Sequence, residues 1–431
     1  MKIPFLQTKL FRYLLILTIA IPIAWWLLHT QRHIETKKYN ADSIHKVTDA
    51  EKELIYQLSL EYKRLKNFPA EIYQYPNLKV LNVGFNKLDS IPYSIRLIPN
   101  LEELYLSGGM NSARYWAAKE LKGDSIDSSR IYNSFRSLPN SIGTLTALRI
   151  LEAKNNRLEE IPASIGQLVL LEELNLQGNL IRRIPPTIGQ LTNLKEFKVS
   201  INNLLRFPIE ICKLVNLERL EAFDNQLIAV PYDIRKLTKL RYLQLSNNQI
   251  EKLPIHLNGL DKLERLDVSS NKLHDLPKSI ADLPALVELK VANNLIDTAS
   301  AFLWQIPSLE YLDLSKNRLR HIESPTTTNN TIRYLNLSKN DLKSLPTDLN
   351  LAQIEVLILS DNKLGEVPAV ISRMKNLRYL DLRNTNISAI PGFIVDLPKL
   401  EELDISSNFI NAGTEEILKE QLAHLKKIHL N

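Results

Sequence analysis

From Ile55 to the C-terminus, apolar residues recur in one order: L-x-x-L-x-L-x-x-N-x-L-x-x-L/I-P-x-x-I-x-x-L-x-x. The order restarts at Ile55, Leu78, Leu101, Leu148, Leu171, Leu194, Leu217, Leu240, Leu263, Leu286, Leu309, Ile332, Ile354, Leu377 and Leu400. Of the 14 intervals, 12 are 23 residues, one is 22 (Ile332 to Ile354) and one is 47 (Leu101 to Leu148). The front half alternates with period two, as in Leu243 and Leu245 against Tyr242, Gln244 and Ser246, and predicts a strand. The back half, such as Leu253-Pro254 followed by Leu257 and Leu260, predicts a short helical or extended segment packed behind that strand. One unit cannot bury both of its apolar edges. Stacked units can, at ~1.5–3 kcal/mol per large aliphatic side chain, against a similar loss of conformational entropy.

This pattern resembles the leucine-rich repeat family, in the 23-residue form with Leu-Pro in the second half. Scribble-like, Ras-pathway scaffold and plant intracellular Ras-group-related proteins carry that form. The resemblance covers residues 55–431 and is specific for fold. It implies an α/β solenoid, a leucine-rich repeat horseshoe with a parallel concave β-sheet. It also implies a protein or peptide partner, because the concave surface is where such folds engage ligands. The Ras-group likeness implies an alternative, a cytoplasm-facing regulatory scaffold for a GTPase or phosphatase pathway. Fold alone does not fix function.

Asparagine fills the ninth position in 12 of 15 repeats, Asn86 to Asn408, with Lys63, Gly109 and Thr385 as exceptions. Its amide can satisfy backbone groups where each strand turns away from the sheet, so the position is read as a structural ladder. The ends need caps. Thr48 and Glu51 form a T-x-x-E capping box ahead of the first strand. Thr414 opens a C-terminal helix carrying Ile417, Leu418, Leu422 and Leu425, and Leu425, Ile428 and Leu430 repeat the strand spacing. The 47-residue interval admits two readings. One is an insertion near residues 110–133, with a short helix at Ala113–Lys122. The other is a degenerate repeat from Ser125, with Asn133 in the ladder. The insertion is preferred, because the other reading puts Ser128 and Arg130 where leucines belong.

The N-terminus breaks the pattern. Tyr13 to Leu28 holds sixteen residues without a charge, and the uncharged stretch extends to Gln31. Lys2, Lys9 and Arg12 precede it; Arg32, Lys37 and Lys38 follow, and Trp25 and Trp26 lie near its end. Residues 13–31 therefore predict a transmembrane signal-anchor helix, after a basic segment at 1–12 and before a linker and cap at 32–54. A weak cleavage site after Ala24 leaves export after signal cleavage as the alternative. The positive-inside count is nearly tied. The habit of a first hydrophobic segment to start export places the solenoid, 55–413 with its cap at 414–431, on the non-cytoplasmic side.

Of the formal +6, residues 1–50 supply +4 through seven basic and three acidic residues, leaving +2 for the other 381. The basic balance thus belongs to the N-terminus and gives no case for nucleic acid. Cys212 is the single cysteine, so no intrachain disulfide or cysteine-built metal site can form. The chain holds no H-E-x-x-H, G-x-S-x-G, Walker loop or G-x-G-x-x-G after a strand, and its eight histidines are scattered. No enzyme, metal or cofactor is expected.

The binding residues expected are side chains on the open face of the strands. Strand neighbours ~4.8 Å apart make equivalent positions adjacent. A first row includes Arg219, Tyr242, Arg265, Tyr311, Tyr334 and Tyr379; a second includes Asp313 and Asp381; a third includes Phe223. Tyr311 and Tyr334 would be adjacent aromatic anchors, and tyrosine and arginine dominate binding hot spots. Trp116, in the insertion, is a further candidate anchor. The same residues also suit cross-strand pairing in a plain sheet.

Overall fold

The computed structural model describes residues 47–109, 132–324 and 331–430. Sixteen three-residue strands, from Gln57–Ser59 to Lys427–His429, form one parallel sheet in chain order. The register follows the sequence period: Tyr242 pairs with Arg265, Arg265 with Glu288, Glu288 with Tyr311 and Tyr311 with Tyr334. The middle residue of every strand but the last points inward and is buried, such as Leu243 and Leu266, while its two neighbours face outward; Ile428 of the last strand is partly buried.

Behind the sheet, the chain returns through short 3-10 helices such as Ala163–Gln167, Pro186–Gln190 and Ile209–Lys213. A proline caps most of these turns, because its ring holds φ near the value that position needs. Pro162, Pro185 and Pro208 sit at φ −67°, −68° and −68°. The buried Ile165, Ile188 and Ile211 of these turns close the core from behind.

The ladder is built as the amide chemistry requires. Asn271 Nδ2 donates to the carbonyls of Leu245, Val268 and Ser269 at 3.0, 3.0 and 3.1 Å, and its Oδ1 accepts from Ile250 N–H at 3.0 Å. Each asparagine thus ties its own turn to the preceding repeat. The residue just before it is left-handed in nearly every repeat. Asn, Asp, Ser and Gly tolerate that geometry, yet Tyr62, Phe85 and the β-branched Ile201 adopt it too, at φ 57°, 55° and 57°.

The long interval corrects one expectation. The strand Glu103–Tyr105 pairs directly with Ile150–Glu152, so the sheet continues in register across the long interval, of which residues 110–131 lie outside the described residues. The ladder position of that repeat belongs to Asn133, not Gly109. Asn133 Nδ2 donates to Val83 O at 2.8 Å, and its Oδ1 accepts from Leu88 N–H at 3.1 Å. The rejected reading was therefore right about Asn133. Gly108 and Gly109 make the junction possible: a Cβ on Gly108 would meet Asn155 O at 1.9 Å, and one on Gly109 would meet the Tyr132 ring at 2.0 Å. The expected helix at 113–122 lies outside the described residues.

At the front, Glu51 accepts from the N–H and hydroxyl of Thr48 at 3.1 and 2.9 Å and opens the helix Asp49–Lys52. At the back, the helix spans Ala412–Gln421, and Asn411, not Thr414, is its cap; Asn411 accepts from Thr414 N–H at 2.9 Å. The strand Lys427–His429 then covers Glu402–Asp404. Where Leu-Pro is missing, Thr298–Ala299 pairs with His321–Ile322 in a separate two-stranded sheet. Trp304 fills the core there, 1% exposed, and its indole N–H donates to Glu323 O at 2.7 Å. Among the described residues, no helix is long and apolar enough to cross a membrane; the anchor expected at residues 13–31 lies outside them.

Candidate functional site

The open face of the sheet presents the first and third residues of each strand, and the residue two beyond. Backbone pairing fixes where these side chains stand, so the site is as rigid as the sheet. Arg219, Tyr242 and Arg265 occupy the first position of three successive strands. The guanidinium of Arg219 lies 4.1 Å from the Tyr242 ring centroid and that of Arg265 lies 5.7 Å from it. Tyr242 is thereby flanked by two cations held over its ring. Their charge is answered locally: Arg219 meets Glu196 at 3.8 Å and Glu221 at 3.2 Å, and Arg265 meets Glu288 at 3.4 Å. Phe223 lies half-buried just beyond the strand Arg219–Glu221.

Three strands on from Tyr242 a second cluster begins, at Tyr311. Tyr311 and Tyr334 stack with ring centroids 4.2 Å apart and planes 5° from parallel. Burial holds both phenols protonated: it raises Tyr311 well above the usual tyrosine range and pushes Tyr334 up to about 12. Lys290 Nζ stands 5.4 Å from the Tyr311 centroid. Asp313, in the next row, is raised by burial, against which the Ser315 hydroxyl and backbone N–H act. Tyr379 and Asp381 repeat this pairing farther along. Asp381 is buried and raised, opposed first by the Arg383 backbone N–H, which it accepts at 2.9 Å.

The structure therefore brings the expected residues into three groups along one face: Arg219, Tyr242, Arg265 with Phe223; Tyr311, Tyr334 with Asp313; and Tyr379 with Asp381. Trp116 lies outside the described residues. Sequence reasoning missed the first part of the face. Glu103, Glu173 and Glu196 fall in the same first row. Glu173 is pushed up to about 7, first by burial and then by the nearby Glu196 carboxylate. The row position was legible in the period, but the loss of solvent around Glu173 was not. Cys212 is buried behind the sheet, and that burial pushes its thiol up to about 11. Among the described residues, no three His, Cys, Asp or Glu side chains are placed to share a metal ion.

The model described as a leucine-rich repeat region matches residues 132–230 and 226–325, and leucine-rich repeat models match 328–344 and 352–410. No curated protein matches the chain. Among solved structures, a leucine-rich repeat protein of Leptospira interrogans is 27% identical, with a TM-score of 0.69, over 91% of this chain and 99% of that one. An internalin of Listeria monocytogenes is 20% identical, with a TM-score of 0.62, over 78% of this chain and 90% of that one. The Arabidopsis receptor kinase HAESA, in complex with a peptide hormone and a co-receptor, is 26% identical, with a TM-score of 0.57, over 84% and 63%.

Proposed function

The chain belongs to the leucine-rich repeat family, and from that premise we propose that it is a membrane-anchored binding protein, receptor-like or scaffold. It takes a protein or peptide ligand on the concave, open face of its sheet and performs no catalysis of its own. The observation that carries this reading is the row of preset aromatic and arginine side chains, Arg219–Tyr242–Arg265 and Tyr311–Tyr334. Such residues lose little rotamer freedom on binding when stacking already holds them, and they are the types that dominate hot spots. The peptide hormone bound in the HAESA structure supports the same class of ligand.

Residues 13–31 anchor the chain, and the solenoid stands on the non-cytoplasmic side. The uncharged stretch, its basic flanks and the Trp25-Trp26 pair support this. The binding reading is tested by selecting random-sequence peptides on the full chain, then measuring their affinity for the triple variant Arg265→Ala, Tyr334→Ala, Tyr379→Ala. Selected peptides are expected to lose at least about tenfold in affinity. Undiminished binding to the variant would remove the open face from the reading. A tag after Asn431 tests sidedness: protease in intact cells should remove it, and protection in oriented vesicles exposing the cytoplasmic face would confirm the opposite face. Cleavage in those vesicles would put the solenoid in the cytoplasm.

A further inference from the structure

The two aromatic clusters of the open face differ in charge. Around Tyr242 every arginine has a carboxylate partner, so that part of the face is close to neutral. Beyond Lys290, which stands in register with Asp313 and pairs with Glu288, the balance changes. On the five strands from Tyr311–Asp313 to Glu402–Asp404 the outward rows carry Asp313, Asp381, Glu402 and Asp404 against Arg383 alone. Lys316 and Lys339 stand past the third row, at the turn. The 381 residues after residue 50 sum to +2, so this acidic stretch is local and not a property of the repeats as a whole.

Its floor is apolar. The first row runs on from the Tyr311–Tyr334 stack through Val356 to Tyr379, and Ile358 lies beside Val356 in the second row. Asp313, Asp381 and Asp404 each accept from the backbone N–H two residues on, at 2.9, 2.9 and 3.0 Å. That bond holds each carboxylate in place through one oxygen. Among the described residues, Arg383, at 3.9 Å from Asp381, is the single arginine or lysine within ion-pair distance of these three carboxylates.

We propose that this stretch of the open face takes an extended protein segment with two cationic side chains flanking an apolar one. The inference rests on the reading that the open face binds protein, and it adds the chemistry of the partner. Spacing sets the motif. Asp313 and Asp381 are three strands apart in register, which is ~14 Å at the parallel-strand separation. An extended segment rises ~3.3 Å per residue, so side chains at i and i+4 stand ~13 Å apart on one side. The residue at i+2 then lies midway, between Asn336 and Ile358. The carboxylates supply specificity, and the tyrosine and aliphatic floor supplies contact area.

The probes are three labelled peptides that share a backbone, with Lys-x-Leu-x-Lys, Glu-x-Leu-x-Glu or Gln-x-Leu-x-Gln at their centre. Fluorescence anisotropy against the full chain measures their affinities. The lysine peptide is expected to bind at least about tenfold more tightly than either other, and more weakly as salt rises. The Asp313→Asn, Asp381→Asn double variant keeps the oxygens that accept from the backbone, so the turns are retained. It is expected to lose that advantage. Equal binding of the three peptides, absence of lysine-peptide binding, or an unchanged double variant would overturn the inference. Tyr334→Ala separates the two levels. If the neutral peptide binds and Tyr334→Ala weakens it, the open-face reading stands without the cationic motif. If every bound peptide ignores Tyr334→Ala and the triple variant above, the open-face reading falls as well.

Discussion

Asn271 shows how much one side chain can hold. Four hydrogen bonds converge on its amide, three donated and one accepted, all linking backbone groups that water cannot reach easily. Asn271→Ala leaves those groups without partners, and a loss of ~1–3 kcal/mol is expected in chemical denaturation. An unchanged midpoint would mean the ladder is decoration. Glu173 works the other way. Its carboxyl is raised from 4.5 to about 7, so folding favours its protonated form. The stability it contributes is fully present below pH 4.5 and is lost as pH rises through 7. Glu173→Gln should therefore melt higher than the parent at pH 8, by ~1–2 kcal/mol after solvent screening. The gain should vanish at pH 4. A gain equal at both pH values would show that repulsion and burial at Glu173 are not its source.

The repeat as an element was legible because its period leaves little choice of register: a one-residue slip would turn every leucine outward. The period also holds a row that sequence reading passed over. At the residue just before each strand of the main sheet after the first stand Lys79, Glu102, Arg149, Glu172, Lys195, Glu218, Arg241, Glu264, Val287, Glu310, Arg333, Glu355, Arg378, Glu401 and Lys426. The signs alternate from repeat to repeat, even across the long interval. Arg149 and Lys195 both meet Glu172, Arg241 meets Glu264 at 2.6 Å, and Arg378 and Lys426 both meet Glu401. Alternation places unlike charges beside each other and reinforces register, though each exposed pair is weak. Val287, 38% exposed between Glu264 and Glu310, is the one break. Val287→Lys should complete the row and raise stability by ~0.5 kcal/mol at low salt, with the gain falling in 1 M salt. Val287→Glu should lower it. Equal midpoints for the two variants would show that the row carries no energy. Asn133, by contrast, was placed in the ladder only by the reading not preferred, because the long interval separates it from the strand it serves. The Tyr311–Tyr334 stack was legible as adjacency, whereas the charge partners of Arg219 and Arg265 depend on rotamers that no spacing specifies.

At the scale of the molecule, each repeat touches only its neighbours, so stability should spread along the axis and not across it. The C-terminal cap is where this can be tested. Leu418 and Leu422 are buried at 4% and 1% exposure, and the strand Lys427–His429 supplies His429 O to Ile405 N–H at 3.0 Å. Removing residues 412–431 uncovers Leu403 and Ile405 and leaves a bare sheet edge. Two lost leucines alone amount to ~3–6 kcal/mol of burial, and the open edge invites association. Yet the repeats between Leu148 and Leu245 keep every neighbour they had. Hydrogen exchange followed by peptide mass should therefore rise sharply from Tyr379 onward and remain nearly unchanged around Ile150–Glu152. This pattern separates nearest-neighbour stabilisation from a single cooperative unit. If exchange rises equally in all fifteen remaining strands, the solenoid unfolds as one body. The stretch from Tyr311 to Asp404, proposed above to bind a ligand, would then draw its rigidity from the whole array and not from the cap beside it.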